Sequence, residues 1–220
     1  YSVAKDSLRT VIDDNINDLC TDKIGNLWIA TNGGLQVYNP RMNSFSTYTR
    51  ENGKLNTNNV TTLFYNKNGK GNNLYIGTAE GLVILNLSST EMKVWTGNSN
   101  NVHPFTNNFI TAVFQDSRGL LWIGTREGLN ILDIETDNLS YLTEKQGLCN
   151  NNINGIAEDK NHNMWVTTSG GVSRVVVQRN HEDGCYNFGL YNYFTTDGLQ
   201  SNEFNHGAII TKKDGNVLLG

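Results

Sequence analysis

The 220-residue chain is long enough to bury a sizeable core, and its 22 glycines, 2 prolines and 17% charged residues, with abundant Asn and Thr, suit short strands joined by tight turns. A formal net charge of −4, from 21 acidic and 17 basic side chains dispersed along the chain, leaves no basic run to follow a phosphate backbone, so nucleic acid is not an expected partner. No stretch approaches the roughly 18 apolar residues of a membrane span, and YSVAKDSLRTVIDDN lacks the pattern of a secretory leader, so this segment is expected to make no membrane contact.

In chain order, one phrase recurs: DKIGNLWIATNGGLQVY (22 to 38), NKNGKGNNLYIGTAEGLVIL (66 to 85), DSRGLLWIGTREGLNIL (116 to 132) and DKNHNMWVTTSGGVSRV (159 to 175), with a fifth copy starting at KKDGNVLLG (212 to 220). Asp22 to Trp28, Asp116 to Trp122 and Asp159 to Trp165 are each six apart, whereas Asn66 to Tyr75 is nine apart. The aromatic lies six before Gly34, Gly81, Gly128 and Gly171. A period of 43 to 53 residues belongs to β-propeller blades and not to a heptad or hexapeptide array.

The third copy gives the strand pattern. FITAVFQ is apolar on both alternating sets, as expected of an innermost strand covered on two faces, and DSRG turns the chain, with Asp capping and Gly taking a positive φ. LLWIGT, the TREG turn, GLNILDI and an outer LSYLT (139 to 143) complete four strands. The expected fold is all-β: a β-propeller with four-stranded blades, about four plus part of a fifth, an excerpt of a larger propeller. Blade-like repeats fall at 14 to 49, 58 to 96, 107 to 143, 150 to 195 and 202 to 220 (incomplete), within one partial propeller over 1 to 220. The recurrent Trp and Tyr are read as blade packing, and the Asn clusters before each inner strand as binders of local backbone.

The pattern N-x-I-x-x-I-x-x-D-x-x-G-x-L-W-I-G-T-x-x-G-L resembles the two-component regulator propeller repeat, found in the sensor regions of hybrid two-component systems of Bacteroidetes. DGLQSNEFNHGA (197 to 208) is similar to the opening of the last blade of such sensors. The resemblance implies a seven-bladed parent propeller and a periplasmic segment that recognises a glycan-derived oligosaccharide and, through a homodimer of the membrane-anchored full-length protein, signals to a histidine kinase. The sequence departs from the pattern in the longer turn of the second copy and in NHNMW of the fourth.

Because repeated residues are scaffold, ligand-binding candidates are sought among residues unique to one copy. The loops leading into the inner strands and the turns after the Trp strands share one end of the blades, where propellers often bind ligands. There the candidates are Asn32, Glu80, Arg126, Glu127 and Ser169, with His103 and Phe105 from the loop 97 to 108. Arg126 offers a bidentate contact to a carboxylate or sulfate, Glu127 an acceptor for hydroxyls, and His103 and Phe105 a polar tip and a stacking face.

Neither a cofactor nor a metal is expected. Cys20, Cys149 and Cys185 form no CxxC pair, and His181, Glu182, Asp183 and Cys185 crowd RNHEDGCYNFG (179 to 189), where Asp-Gly reads as a protruding hairpin. No catalytic motif is present and no catalytic residue is assigned. The alternatives are a propeller lyase or glycosidase, for which Glu80 and Glu127 in equivalent turns are the carboxylate pair, and a scaffold for protein partners.

Overall fold

The computed structural model describes residues 10 to 67, 71 to 96, 105 to 180, 182 and 184 to 220. Its strands form four antiparallel four-stranded meanders and one two-stranded sheet. The first comprises β1 (Ile16–Thr21), β2 (Leu27–Thr31), β3 (Gly34–Asn39) and β4 (Ser44–Tyr48); the second β5 (Val60–Tyr65), β6 (Asn73–Thr78), β7 (Gly81–Asn86) and β8 (Met92–Trp95). The third holds β9 (Ile110–Gln115), β10 (Leu120–Thr125), β11 (Gly128–Asp133) and β12 (Asn138–Leu142), and the fourth β13 (Ile153–Glu158), β14 (Met164–Thr168), β15 (Gly171–Arg179) and β16 (Tyr186–Tyr193). β17 (Ile209–Thr211) and β18 (Val217–Leu219) pair alone. The fold is all-β and its sheets are propeller blades. Among the described residues no helix is long and apolar enough to cross a membrane.

The chain divides into two compact units, residues 1 to 113 and 114 to 220. In the first, Trp28, Leu35, Leu63, Leu74, Ile76 and Leu85 form a core between the first two sheets. Burial of these side chains is the main stabilising term, at about 1.5 to 3 kcal/mol for each large apolar group. Polar groups of the inner strands tie the same two sheets together: Asn17 Nδ2 donates to the Val60 carbonyl at 2.7 Å, and Asp18 Oδ2 accepts from the Leu63 N–H at 2.8 Å. In the second unit, Asn154 Nδ2 donates to the Phe204 carbonyl at 2.9 Å and Thr211 Oγ1 to the Glu158 carbonyl at 2.6 Å.

The turn between the first two strands of a blade is built around its aspartate. Asp116 Oδ1 accepts from the N–H groups of Arg118 and Leu120 at 3.0 and 2.9 Å, while Oδ2 accepts from the Trp122 indole at 3.0 Å. Asp22 and Asp159 repeat the arrangement, with indole distances of 3.1 Å to Trp28 and 2.9 Å to Trp165. The aspartate therefore caps the turn and anchors the tryptophan as well. In the second copy Asn66 and Tyr75 replace the pair together, consistent with a phenol ring having no indole N–H to offer. In the fifth, Lys212 and Leu218 stand in these places, yet the turn keeps its backbone bonds, Lys212 N–H to Asn216 O and Gly215 N–H to Lys212 O.

NHNMW, which departs from the repeat pattern, forms the same turn. His162 takes φ +62° where Gly25 and Gly119 take +91° and +96°. Its Nδ1 lies 2.9 Å from Glu158 Oε1 and 2.9 Å from Ser117 Oγ, and Arg118 Nη1 donates to its carbonyl at 2.9 Å. Side-chain and backbone bonds to the third blade thus hold a conformation that a non-glycine residue resists.

Candidate functional site

The end of the blades proposed to bind ligand is constructed by three repeated contacts. First, a threonine closes each second turn: Thr31, Thr78, Thr125 and Thr168 donate through Oγ1 to the carbonyls of Gly34, Gly81, Gly128 and Gly171 at 2.7 to 2.8 Å. The glycine takes φ between +124° and +138° in all four, and at Gly34 an added Cβ would come within 2.7 Å of the Tyr48 carbonyl. Glycine is needed here for both backbone conformation and space.

Second, the residue after the threonine donates its N–H to the loop ahead of the inner strand: Asn32 to Asn15 O, Ala79 to Asn59 O and Ser169 to Asn152 O. Third, those loops are folded by their own Asn side chains, as the sequence suggested. Asn58 Oδ1 accepts from Arg50 N–H at 2.7 Å, Asn151 Oδ1 from Glu144 N–H at 2.8 Å and Asn202 Oδ1 from Thr195 N–H at 2.7 Å. Asn58 also donates to both oxygens of Glu51 at 3.0 and 2.9 Å, and this bond holds the Glu51 carboxyl below its ordinary value.

On this frame Asn32, Glu80, Arg126 and Glu127 are exposed at the turn tips, and Ser169 is half-buried. Asn32 Oδ1 accepts from Asn17 Nδ2 at 2.9 Å, and Ser169 Oγ accepts from Asn152 Nδ2 at 2.7 Å. Glu80 is held through its backbone, its carbonyl accepting from Asn56 Nδ2 at 3.0 Å, which leaves the carboxylate directed by a fixed turn. Arg126 and Glu127 are neighbours on one turn of the second unit, so a guanidinium and a carboxylate are presented side by side.

One candidate differs from expectation. Phe105 is only 6% exposed and belongs to the core, so it offers no face for stacking. It occupies a repeat position that alignment on the aromatic strand overlooks: Val11, Leu55, Phe105 and Leu148 each lie five residues before an inner strand and are each 4 to 7% exposed. His103 lies outside the described residues, as do His181 and Asp183 of the hairpin. Among the described residues, no group of three or more His, Cys, Asp or Glu is placed to hold a metal ion. The hairpin is a continuation of β15 and β16, closed by Asn180 N–H to Cys185 O at 2.8 Å, and Phe188 within it stands edge-on to Trp122.

Elsewhere, Cys20 packs half-buried against the core of the first unit, and burial pushes its thiol up to about 12, with Asp18 and Asp22 adding to the effect. Such a thiol is a packing group at neutral pH.

The sequence pattern described as two component regulator propeller matches residues 10 to 33, 104 to 127 and 147 to 170. Those three segments, about a third of the chain, are similar to the two-component regulator propeller repeat. No curated protein is similar in sequence. Among solved structures, the extracellular domain of a protein described as a hybrid two-component system of B. thetaiotaomicron aligns with a TM-score of 0.67 at 18% identity, over 96% of this chain and 27% of that one. PorZ, a surface component of the type-IX secretion system of Porphyromonas gingivalis, aligns with a TM-score of 0.64 at 16% identity, over 100% of this chain and 34% of that one. Virginiamycin B lyase of Staphylococcus aureus aligns at 0.63 and 12% identity, over 93% of this chain and 62% of that one. At these identities the likeness is one of fold.

Proposed function

We propose that this chain is part of the extracytoplasmic sensor propeller of a hybrid two-component system. It is non-catalytic, lies in the periplasm, and recognises a glycan-derived oligosaccharide whose binding is relayed through a homodimer of the full-length protein to a histidine kinase. The observation that carries this reading is the match of three repeats to the two-component regulator propeller pattern, one of them spanning Arg126 and Glu127. The likeness in fold to the extracellular domain of a protein described as a hybrid two-component system supports it further.

Each unit offers ligand its own turn tips, Asn32 and Glu80 in the first and Arg126 and Glu127 in the second, exposed on turns that are already ordered, so little conformational entropy is lost on binding. In the second unit Arg126 engages a uronate or sulfate bidentately and Glu127 takes hydroxyls; in the first, Asn32 is a hydroxyl-binding group in its own right. Calorimetric titration of the complete propeller against neutral, uronic and sulfated oligosaccharides tests the reading. Saturable heat with one class, weakened by Arg126→Ala, supports it. Heat that continues at saturation would indicate turnover and favour an enzyme, the class to which the aligned lyase belongs. Silence across the panel would favour a protein-binding scaffold.

A further inference from the structure

Equivalent junctions between successive blades are filled differently. Over Trp122, Phe188 of the fourth blade closes the gap, its ring edge-on to the indole at 5.9 Å and 85°. Phe188 reaches that place because β15 and β16 run four pairs beyond Val175 and Leu190, setting Phe188 opposite Val177. In the second blade the corresponding hairpin is shorter. Its last pair is Leu85 with Met92, and the chain turns back between Asn86 and Glu91, where Asn86 N–H donates to Glu91 O at 2.9 Å. Leu87, six residues after Gly81 as Val177 is six after Gly171, therefore has no strand residue opposite it.

The result is a cleft of about 250 Å³ beside Trp28, lined by Trp28, Tyr48, Leu85 and Leu87, with Lys23 and Ile24 among its rim residues. An unfilled apolar cleft forfeits the dispersion contacts that Phe188 supplies at the other junction. Ile24 is 68% exposed at the tip of its turn, and the bond from its N–H to Asp22 Oδ1 holds that turn in place. The same end of the first blade is cationic. Lys23 is exposed, Lys67 is brought to it by a 2.9 Å bond from Nζ to Thr21 Oγ1, and Asp22 is buried under bonds from Ile24, Asn26 and Trp28.

We infer that this cleft docks a protein segment that inserts one aromatic side chain beside Trp28 and directs flanking carboxylates to Lys23 and Lys67. The aromatic requirement comes from the chain itself, which fills the matching gap over Trp122 with Phe188. The acidic requirement comes from charge complementarity at the rim. The rim turn is already ordered, so docking costs little reorganisation.

The test is a calorimetric titration of the full-length protein with an acetylated Asp-Glu-Phe-Glu-Asp amide and its Phe-to-Ala counterpart. The first peptide is expected to bind saturably, and the second at least about tenfold more weakly, as for removal of an interface anchor. Leu87→Phe, which grows into the open space, should weaken binding about tenfold or more without lowering Tm. Lys23→Gln should weaken it about threefold, the scale of an exposed ion pair. Ile24→Gln, at an exposed rim position, gives a second route should Leu87→Phe fail to fold, and it should weaken binding likewise. The inference is overturned by no saturable binding at millimolar peptide, by equal affinity for both peptides, or by undiminished binding to a folded Leu87→Phe or to Ile24→Gln.

Discussion

The Trp122 indole donates to Asp116 Oδ2 at 3.0 Å from inside a blade, and neither residue exposes more than 2% of its surface. One carboxylate thereby satisfies two turn amides, an indole and the Arg118 guanidinium, which approaches the same oxygen at 2.9 Å. Replacing Asp116 with Ala should leave these buried donors unpaired and destabilise the protein by about 3 to 5 kcal/mol, against about 1 to 3 kcal/mol for Asn, which keeps one acceptor. Urea unfolding followed by tryptophan fluorescence measures both. Equal losses for the two variants would show that the single acceptor kept by Asn contributes nothing to the turn.

The glycine of the second turn is the next sensitive point. Gly34→Ala should destabilise by about 2 to 4 kcal/mol, because φ is +138° and the new Cβ would meet the Tyr48 carbonyl at 2.7 Å. Gly53→Ala is the control: its φ is +73° but nothing lies within 4 Å of the added atom, so only the backbone cost of about 1 kcal/mol remains. Thermal melts of the two variants should differ in this order.

Much of this was legible in the sequence, for a physical reason. A blade must bury both faces of its sheet and make two tight turns in each copy, so Asp116, Trp122 and Gly128 repeat at fixed spacing and reveal strands, turns and period together. The bond from Trp122 to Asp116 was not legible, since a spacing of six does not say where the second carboxylate oxygen points. Phe105 was misjudged because it was considered alone in its loop; set beside Val11, Leu55 and Leu148 it is a repeated core position. The turn locations of Asn32, Glu80, Arg126 and Glu127 were readable from the chain, but exposed side chains carry no packing constraint that names a ligand.

Phe188 shows what the extra residues of the fourth blade do for stability. Truncating it to Ala should cost about 2 kcal/mol, less than a fully enclosed Phe because its side chain is only half-buried, and should admit water to Trp122. A red-shifted emission maximum together with a lowered urea midpoint is the expected result. An unchanged midpoint would mean that the β15–β16 extension contributes nothing to the junction.

The acid limb of stability should depend on Asp159. Burial pushes its carboxyl up, but bonds from Asn163 Nδ2, the Trp165 indole and the Asn163 and Asn161 amides outweigh that, leaving it below the ordinary carboxylate value. A group depressed in the folded state stabilises it above the unfolded value, about pH 3.9, and loses that contribution as pH falls through the folded value. Asp159→Asn should therefore be clearly less stable than the parent at neutral pH, and the difference should narrow steadily below about pH 4. Urea midpoints across that range measure it. A constant difference would show that the charge of Asp159 has no part in holding the turn, and that the bonds to Asn163 and Trp165 act through shape alone.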